Sequence, residues 1–360
     1  MAQKIVVIGA GVIGASAAYH LAQAGCDVTV VDAGMGRATD ASFGWINASF
    51  FADDAHFALR AAGIAAYQNM SQQIDIPVQT PGSLVWEDEG DAFDTQLARL
   101  HAVGATVSEL DRAAFQKLEP HVAHAPDRIF HFADECVADS GALAVGVLAA
   151  ACGYGAQVIS GAQVVEIVEV AGKIIGVQTT LGWLAADQVL IAAGTGTENL
   201  LAAFDVALPM LTRPGVMLRT RPIAPLIQHV LASPTQEVRQ LPNGALLAPA
   251  AAGHQGDTSD TISGTPAGLA DVAVDRLRTM LPGHDITWDR IWLANRPMPQ
   301  DGLPAVGAVG PTGLYAATMH SGITLAALMG DLICTEMTQG ITNRSASLLG
   351  PYRPRRFGAT

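Results

Sequence analysis

Positive charge is scarce in this sequence of 360 residues. Lysine and arginine together number 20, against 33 aspartates and glutamates, which gives a formal net charge of −13 at pH 7. Proteins that bind nucleic-acid phosphates or anionic lipid surfaces carry clusters of basic side chains. We therefore expect no nucleic-acid partner and no polybasic membrane surface.

Cysteine is rare as well. The four cysteines, Cys26, Cys136, Cys152 and Cys334, stand far apart and form no Cys-x-x-Cys pair. This spacing is typical neither of a zinc site nor of a disulfide framework. We predict no metal site, and free thiols favour a cytoplasmic location.

Charged residues make up only 15% of the chain, whereas hydrophobic residues make up 50%. Chains that are disordered as a whole have the opposite composition, so general disorder is excluded. A chain of this length can bury a large core and divides into two domains or one domain with a lobe.

Uninterrupted hydrophobic runs of membrane-spanning length are missing. Residues 140–165 carry no charge, but the run Gly153-Tyr154-Gly155 divides them into a helix-length piece and a strand-length piece. The start of the chain, Lys4 followed by apolar residues 5–18, resembles a signal peptide. A glycine motif within residues 5–18 favours a folded unit over a signal peptide. We also expect no membrane span.

That motif is Gly9-Ala10-Gly11-Val12-Ile13-Gly14. It follows the β-branched run Ile5–Ile8, leads into an alanine-rich helical stretch, and is followed by a second β-branched run, Val28–Val31. Strand, glycine motif, helix and strand in this order indicate a βαβ unit that binds a dinucleotide.

Each glycine of the motif has a physical role. Gly9 allows a tight turn, Gly11 lets backbone amides approach a pyrophosphate, and Gly14 allows close packing of helix on strand. Asp32 ends the second strand, where an acidic side chain accepts hydrogen bonds from a ribose. The acid favours FAD or NAD over NADP, and the alternative is a glycine-rich turn without a ligand.

Two later segments continue this pattern, which makes the nucleotide domain discontinuous. Helical patterns cover residues 142–152 and 323–338, and strand patterns cover residues 157–159, 164–170, 174–179, 187–192 and 313–317. The strand at 187–192 runs into Ala193-Gly194-Thr195-Gly196. We expect Ala193, Gly194 and Gly196 to direct backbone amides at the crevice above the sheet.

The predicted domains follow from these segments. Residues 1–42, 140–203 and 297–345 form the nucleotide domain, residues 43–139 and 204–296 form a substrate domain, and residues 346–360 form a tail. Short strands and proline turns in 204–296 favour an antiparallel sheet. The basic run Tyr352–Phe357 is expected to be solvated.

The order of these segments resembles the superfamily of D-amino-acid oxidase and glycine oxidase, FAD enzymes that also include sarcosine oxidases and D-amino-acid dehydrogenases. The resemblance covers nearly the whole chain. Its markers are residues 9–14 with Asp32, Thr39–Gly44, Leu118–Pro120, Ile191–Gly196, Asn295–Pro304 and His320–Leu325.

The resemblance implies an α/β fold. A Rossmann-type, glutathione-reductase-like FAD-binding domain would carry a second, α+β substrate domain built on an antiparallel sheet. It also implies that Ala41 and Ser42 lie along the flavin, and that Val164 meets the adenine. Gly322-Ile323-Thr324 would open a helix facing the flavin pyrimidine edge, where helix N–H groups stabilise the negative charge of reduced flavin.

Arg296 is the leading candidate for substrate binding. In the resembling amino-acid oxidases, the arginine of this segment pairs with the substrate carboxylate, and a guanidinium suits a bidentate contact of that kind. The alternative is a structural arginine paired with Asp289 or Asp301.

Two histidines are further catalytic candidates. His320 precedes the flavin-facing helix, and His254 follows a predicted strand of the substrate domain. Each has the alternative of an ordinary packed or surface histidine. Trp45 and Asn47 extend the flavin-side segment, where they would shape the pocket or simply pack.

Lysine is the scarcest charged residue, and its positions bear on the reaction. The chain holds only Lys4, Lys117 and Lys173. None corresponds to the flavin-facing lysine that serves oxygen activation in sarcosine oxidases. The resemblance therefore leaves oxidase and dehydrogenase open, with dioxygen or a respiratory carrier as electron acceptor.

We expect an FAD-dependent oxidoreductase that removes a hydride from a C–H next to the nitrogen of an amino acid or small amine carrying a carboxylate. The resulting imine is then hydrolysed. An NAD-dependent dehydrogenase and a nonenzymatic flavin-binding subunit are the alternatives, and assembly into a homo-oligomer stays open.

FAD is predicted to be noncovalent. Ala41 stands where some relatives attach FAD through a histidine, and Cys334 lies too far along its helix to replace the cysteine used by others. Acid precipitation should release all the flavin into the supernatant. Flavin fluorescence that stays with the denatured polypeptide would contradict this prediction.

Overall fold

The fold consists of helices and five sheets in this computed structural model, which describes residues 2–35, 38–253 and 258–358. The helices are α1 Val12–Gln23, α2 Asp54–Ser71, α3 Gly90–Ala102, α4 Arg112–Leu118, α5 Ser140–Gly153, α6 Thr197–Ala202, α7 Pro266–Met280, α8 Gly322–Gln339 and α9 Asn343–Leu349. Among the described residues, no helix combines the length and the hydropathy needed to cross a membrane.

The strands are short, as the frequent glycines and prolines predict. They are β1 Lys4–Ile8, β2 Asp27–Asp32, β3 Trp45–Ile46, β4 Val78–Gln79, β5 Ser83–Val85, β6 Ser108–Asp111, β7 Arg128–Phe132, β8 Cys136–Ala138, β9 Gln157–Ser160, β10 Val164–Val170, β11 Lys173–Thr179, β12 Gly182–Ala185, β13 Gln188–Ile191, β14 Met210–Leu211, β15 Pro214–Thr220, β16 Val230–Ala232, β17 Glu237–Gln240, β18 Leu246–Pro249, β19 Trp288–Asn295, β20 Met298–Pro299, β21 Ala305–Ala308 and β22 Leu314–Thr318.

The central sheet has six strands in the order β21-β22-β13-β1-β2-β9. All neighbours are parallel except β21 and β22. Its strands come from three separate parts of the chain, and this confirms the predicted Rossmann-type α/β fold. The apolar runs of β1 and β13 are buried, as expected for strands covered on both faces.

Helix α1 packs against α5 and α8 on one face of the central sheet. The two helices α1 and α8 approach each other closely at Gly330, where a Cβ would lie 2.3 Å from the Ser16 Oγ atom and 2.6 Å from the Ser16 carbonyl oxygen. Only glycine fits at this crossing. The close approach fixes α8 relative to the glycine motif that precedes α1.

The second large sheet has eight strands in the order β19-β15-β18-β17-β16-β5-β7-β6. Its neighbours are antiparallel, as predicted, except at β5 and β16, which are parallel. The exception is the junction where the two inserted segments meet. Helix α7 covers this sheet and buries Val274 and Leu277 beneath it.

The hydrophobic cores do not follow the predicted domain limit between residues 42 and 43. Leu59, Ile64 and Tyr67 of α2 lie in the same core as Val7 of the central sheet. The small sheet β3-β8-β4 also contributes Ile46 to that core. The predicted domain limits stay a prediction, and packing groups these elements with the nucleotide-binding half.

The C-terminal segment is packed, so its interpretation as a solvated tail was wrong. Tyr352 is 1% exposed, and Arg353 forms a bidentate ion pair with Glu336 of α8, at 2.6 and 2.5 Å. The Tyr315 hydroxyl donates a hydrogen bond of 2.7 Å to the same carboxylate. The ion pair with a buried carboxylate therefore holds this basic segment against the rest of the protein.

Removing this ion pair should destabilise the protein. Arg353→Met leaves Glu336 as an unpaired buried carboxylate, and we expect a loss of about 3–5 kcal/mol in the free energy of unfolding. Equilibrium urea unfolding measures this, with Arg355→Met as control because Arg355 is exposed. The control should change by less than about 0.5 kcal/mol, and equal losses would contradict the prediction.

The same pair predicts a pH dependence. Burial by itself raises the pKa of Glu336, but the hydrogen bonds from Arg353 and Tyr315 more than offset it, so the pKa lies below its usual value. Stabilisation by the pair is then present at neutral pH and lost as the pH falls through the lowered pKa. Arg353→Met should show less acid destabilisation than the wild type.

Candidate active site

A cavity of about 1060 Å³ lies at the carboxyl edge of the central sheet. Its wall includes the residues that follow β1, β2 and β13, together with Val216 and Met217 of β15 in the second sheet. Carboxyl ends of parallel strands are where α/β proteins bind ligands. Both halves of the fold therefore contribute to one cavity.

One end of the cavity is built by the glycine motif. Gly9 has φ +106°, and a Cβ there would lie 2.5 Å from the Ala192 carbonyl oxygen. A Cβ at Gly14 would lie 1.9 Å from the Gly9 carbonyl oxygen, so the helix could not approach the strand. Gly11 is the N-cap of α1 and has no side chain to cap it. The first turn of α1 lines the cavity through Gly11, Val12 and Ile13, and the Val12 N–H donates a hydrogen bond of 3.2 Å to the Thr39 hydroxyl, which also lies in the wall.

Asp32 stands beside this turn. One carboxylate oxygen accepts a hydrogen bond of 3.1 Å from the Ala10 N–H, and the other accepts one of 3.1 Å from the Gly34 N–H. These bonds hold the carboxylate at the cavity wall, and each oxygen keeps a further lone pair for a ligand.

The N-terminus of α8 forms the wall at another part of the cavity. Gly322, Ile323 and Thr324 line it, and the first N–H groups of a helix have no partner within the helix. The N-cap residue Ser321 makes no side-chain capping bond. A helix end of this kind favours a negatively charged ligand atom.

The segment from Phe43 to Ser49 runs along the cavity and is held by buried charges. The Glu135 carboxylate accepts hydrogen bonds of 2.9 Å from the Trp45 indole and from the Ala48 and Ser49 N–H groups. A fourth bond, of 2.6 Å, comes from the Ser83 hydroxyl. Burial raises the pKa of Glu135, and these hydrogen bonds oppose the rise.

Arg60 of α2 holds the same segment from another direction. Its Nε donates to the Asn47 carbonyl at 3.0 Å, one terminal nitrogen donates to Ser321 Oγ at 2.5 Å, and the other donates to Asn47 Oδ1. Burial lowers its pKa to about 10, while Glu135 nearby acts in the opposite direction. Arg60 therefore stays protonated at neutral pH.

A second buried arginine fixes the start of the segment. Arg239 donates from Nε to the Phe43 carbonyl at 2.7 Å and from a terminal nitrogen to the Ala138 carbonyl at 2.9 Å. Burial lowers its pKa to about 10. Arg239 does not line the cavity, so it acts on the segment from behind.

Arg296 follows β19 and lies half-buried in the cavity wall. Its backbone N–H donates to the Arg213 carbonyl at 2.8 Å, and its Nε reaches the same oxygen at 3.5 Å. Asp289 and Asp301, the partners in the structural alternative, are engaged elsewhere. Asp289 pairs with Arg219, and Asp301 pairs with Arg356.

Comparison with known proteins identifies the family of this chain. Residues 4–335 match the family described as FAD dependent oxidoreductase, DAO. The chain belongs to this family. It is 27% identical to "Uncharacterized oxidoreductase YurR" of Bacillus subtilis, over 98% of each chain, and 25% identical to a D-amino acid dehydrogenase of Rhizobium rhizogenes, over 88% and 91%. The solved glycine oxidase of Geobacillus kaustophilus shares the fold, with a TM-score of 0.85 at 24% identity over 98% of each chain.

The DAO family assignment makes FAD the cofactor, and the NAD alternative is dropped. Residues of this chain fit that cofactor. The glycine turn would hold a pyrophosphate through backbone N–H groups, Asp32 would accept hydrogen bonds from a ribose, and the same cavity includes the α8 N-terminus. Its volume is in the range of a large ligand site.

The structure brings most of the predicted site residues together in this one cavity. They are Gly9, Gly11, Val12, Ile13, Asp32, Ala41, Ser42, Val164, Ala193, Gly194, Gly196, Arg296, His320, Gly322, Ile323 and Thr324. Gly14 lies behind the wall, where it packs on Gly9. His254 lies outside the described residues, and the roles of all these side chains stay predictions.

Three contributors to the site carry no sequence signal. Glu135, Arg60 and Arg239 belong to no motif, and each holds at least one cavity residue that is more than 80 residues away in the sequence. Trp45 and Asn47, which were expected to shape the pocket or to pack, do both: they line the cavity and bind Glu135 and Arg60. Among the described residues no cluster suited to a metal ion occurs.

Asp32→Ala should weaken FAD binding by about 1.5–3 kcal/mol, because a charge-assisted hydrogen bond to the ribose is lost. Titration of the apoprotein with FAD, followed by quenching of flavin fluorescence, measures the change. Asp27→Ala is the matched control, since Asp27 lies exposed at the opposite end of the same strand. Equal FAD affinity of the Asp32 variant and the wild type would contradict the prediction that Asp32 binds the ribose.

Proposed function

We propose that this enzyme oxidises the carbon–nitrogen bond of an amino acid or small secondary amine that carries a carboxylate. The substrate loses a hydride from carbon and a proton from nitrogen, and water hydrolyses the imine to a carbonyl compound and an amine or ammonia. When bound, FAD would supply the acceptor for the hydride. The names of the relatives, D-amino acid dehydrogenase and glycine oxidase, support amino-acid chemistry for the family.

The observation that carries this proposal is the position of Arg296. Arg296 lines the cavity that fits FAD, directly after β19 and in the segment where the resemblance implies a carboxylate-binding arginine. A planar guanidinium binds a carboxylate through two parallel hydrogen bonds. Arg296 would therefore hold the substrate carboxylate and fix the orientation of the reacting carbon.

Several apolar cavity residues support positioning of the substrate. Phe50, Phe51 and Met217 contribute apolar surface that excludes water. His56 lies in the wall, but burial lowers its pKa to about 4, so it is neutral at pH 7. Placement of a C–H bond in a dry site supplies a large part of the barrier reduction in reactions of this type.

None of the three lysines of the chain lines the cavity, and all three lie in its described part. This observation disfavours the lysine-assisted oxygen activation of sarcosine oxidases. The first experiment is an anaerobic screen of D- and L-amino acids, N-methyl amino acids and cyclic imino acids for bleaching of the flavin absorbance. A yellow protein that none of them bleaches would favour a nonenzymatic flavin-binding subunit.

Arg296→Met should lower kcat/KM by about two to four powers of ten on a carboxylate substrate. The variant loses two charge-assisted hydrogen bonds in a desolvated pocket, a loss of roughly 3–5 kcal/mol. FAD should stay bound. Arg296→Lys should recover only part of the activity, because an ammonium lacks the planar fork.

The matched control is the decarboxylated analogue of the same substrate. It should be a poor substrate of the wild type and nearly indifferent to the substitution. If the variants lose activity equally on acid and amine, or lose none, Arg296 does not bind the carboxylate and the proposal fails.

A further inference from the structure

Arg60 is a buried cation in the cavity wall whose direct partners are all neutral. It is 5% exposed, and its three hydrogen bonds go to the carbonyl and amide oxygens of Asn47 and to the hydroxyl of Ser321. Within the described chain, no carboxylate forms an ion pair with it. A buried guanidinium is normally matched by a carboxylate, so its charge acts on whatever occupies the cavity.

The flavin ring of FAD would lie at this end of the cavity. The nucleotide end is fixed by the glycine turn and Asp32. FAD is elongated, so its isoalloxazine would occupy the remainder of the same cavity. That remainder is walled by Asn47, Arg60 and the first turn of α8.

Arg60 also changes how α8 begins. An N-cap serine usually accepts a hydrogen bond from the N–H of the second or third helical residue. Ser321 makes no such bond, and its hydroxyl accepts from Arg60 instead. The first N–H groups of α8 are thereby left to the cavity, beside a full positive charge on Arg60.

We propose that Arg60 is a positioning residue that sets the reduction potential of the bound flavin. It orients Asn47 and Ser321 toward the flavin, and its charge stabilises the anionic reduced form more than the neutral oxidised form. Such an effect is large in a desolvated site, where charges are weakly screened. The inference depends on FAD in this cavity and not on which amine is the substrate.

Within the described chain, no neighbouring ionisable group forms an ion pair with Arg60. His56, one turn earlier on α2, has a pKa of about 4 and is neutral at pH 7. The Glu135 carboxylate lies near enough to stabilise the charged form of Arg60, but its oxygens accept from Trp45, Ala48, Ser49 and Ser83 and not from Arg60. Arg60 therefore faces the cavity as a cation across the neutral pH range.

The test measures the flavin itself, without any amino-acid substrate. The two-electron midpoint potential of the holoenzyme is determined by anaerobic equilibration with a reference dye, and the dissociation constant of the flavin–sulfite adduct is determined by titration. In Arg60→Met the equilibrium constant for reduction should fall about tenfold or more, which corresponds to about 30 mV per tenfold. Sulfite binding should weaken in parallel, and Arg60→Lys should lie between the variant and the wild type.

Asn47→Asp tests the same idea without removing Arg60. The new carboxylate would pair with Arg60 and neutralise it, so the potential should fall below that of Asn47→Ala, which removes the amide without adding charge. This pair keeps the inference testable if Arg60→Met does not fold. A potential in Asn47→Asp no lower than in Asn47→Ala would overturn the proposal.

Arg239→Met is the structural control, because Arg239 is equally buried and holds the same segment from behind the cavity wall. It should lower the thermal unfolding midpoint and leave the flavin potential within a threefold change in the equilibrium constant. An equal fall in both arginine variants would mean that segment position, and not the Arg60 charge, sets the potential. An unchanged potential in folded Arg60→Met holoenzyme would also overturn the proposal.

Discussion

Two buried charges of opposite sign hold the segment on which the cavity depends. Glu135 binds the N–H groups of Ala48 and Ser49, and Arg60 binds the carbonyl of Asn47 between the two halves of the fold. Strand β3 at the start of this segment alternates its side chains, with Trp45 in the core of the second sheet and Ile46 in the core of the central sheet. The backbone between these cores has no long strand to satisfy it, so side chains from distant elements do so.

This arrangement has an energetic consequence. Each buried ion costs several kcal/mol of desolvation, and removal of one member of such a network leaves the other uncompensated. An apolar core would hold β3 without the desolvation cost of buried charges. It would not form hydrogen bonds with the irregular backbone that follows, whose N–H and carbonyl groups are themselves buried. The charges are therefore the means by which an irregular segment can lie inside the protein beside a ligand cavity.

The local motifs and the overall architecture of the fold were predictable from sequence, whereas individual side-chain contacts between distant parts of the chain were not. The glycine motif, its flanking strands and Asp32 carry their signal within about 30 residues, because turn geometry and helix packing require glycine at Gly9 and Gly14. Arg60 meets Ser321 across 261 residues, and no periodicity or spacing marks such a contact. The prediction that Arg353 is solvated was wrong for the same reason, since its carboxylate partner is set by packing and not by the neighbouring sequence.

Helix α8 connects these observations. Its N-terminus is at the cavity beside Arg60, its middle is fixed against α1 by the close approach at Gly330, and its last turns carry Glu336 paired with Arg353. A helix held at three points along its length cannot shift or rotate without breaking one of them. The C-terminal segment therefore contributes to the placement of the first turn of α8, although it lies near the other end of that helix. The placement of this part of the cavity wall therefore depends on α1, which begins at the glycine motif, and on the segment that carries Arg353.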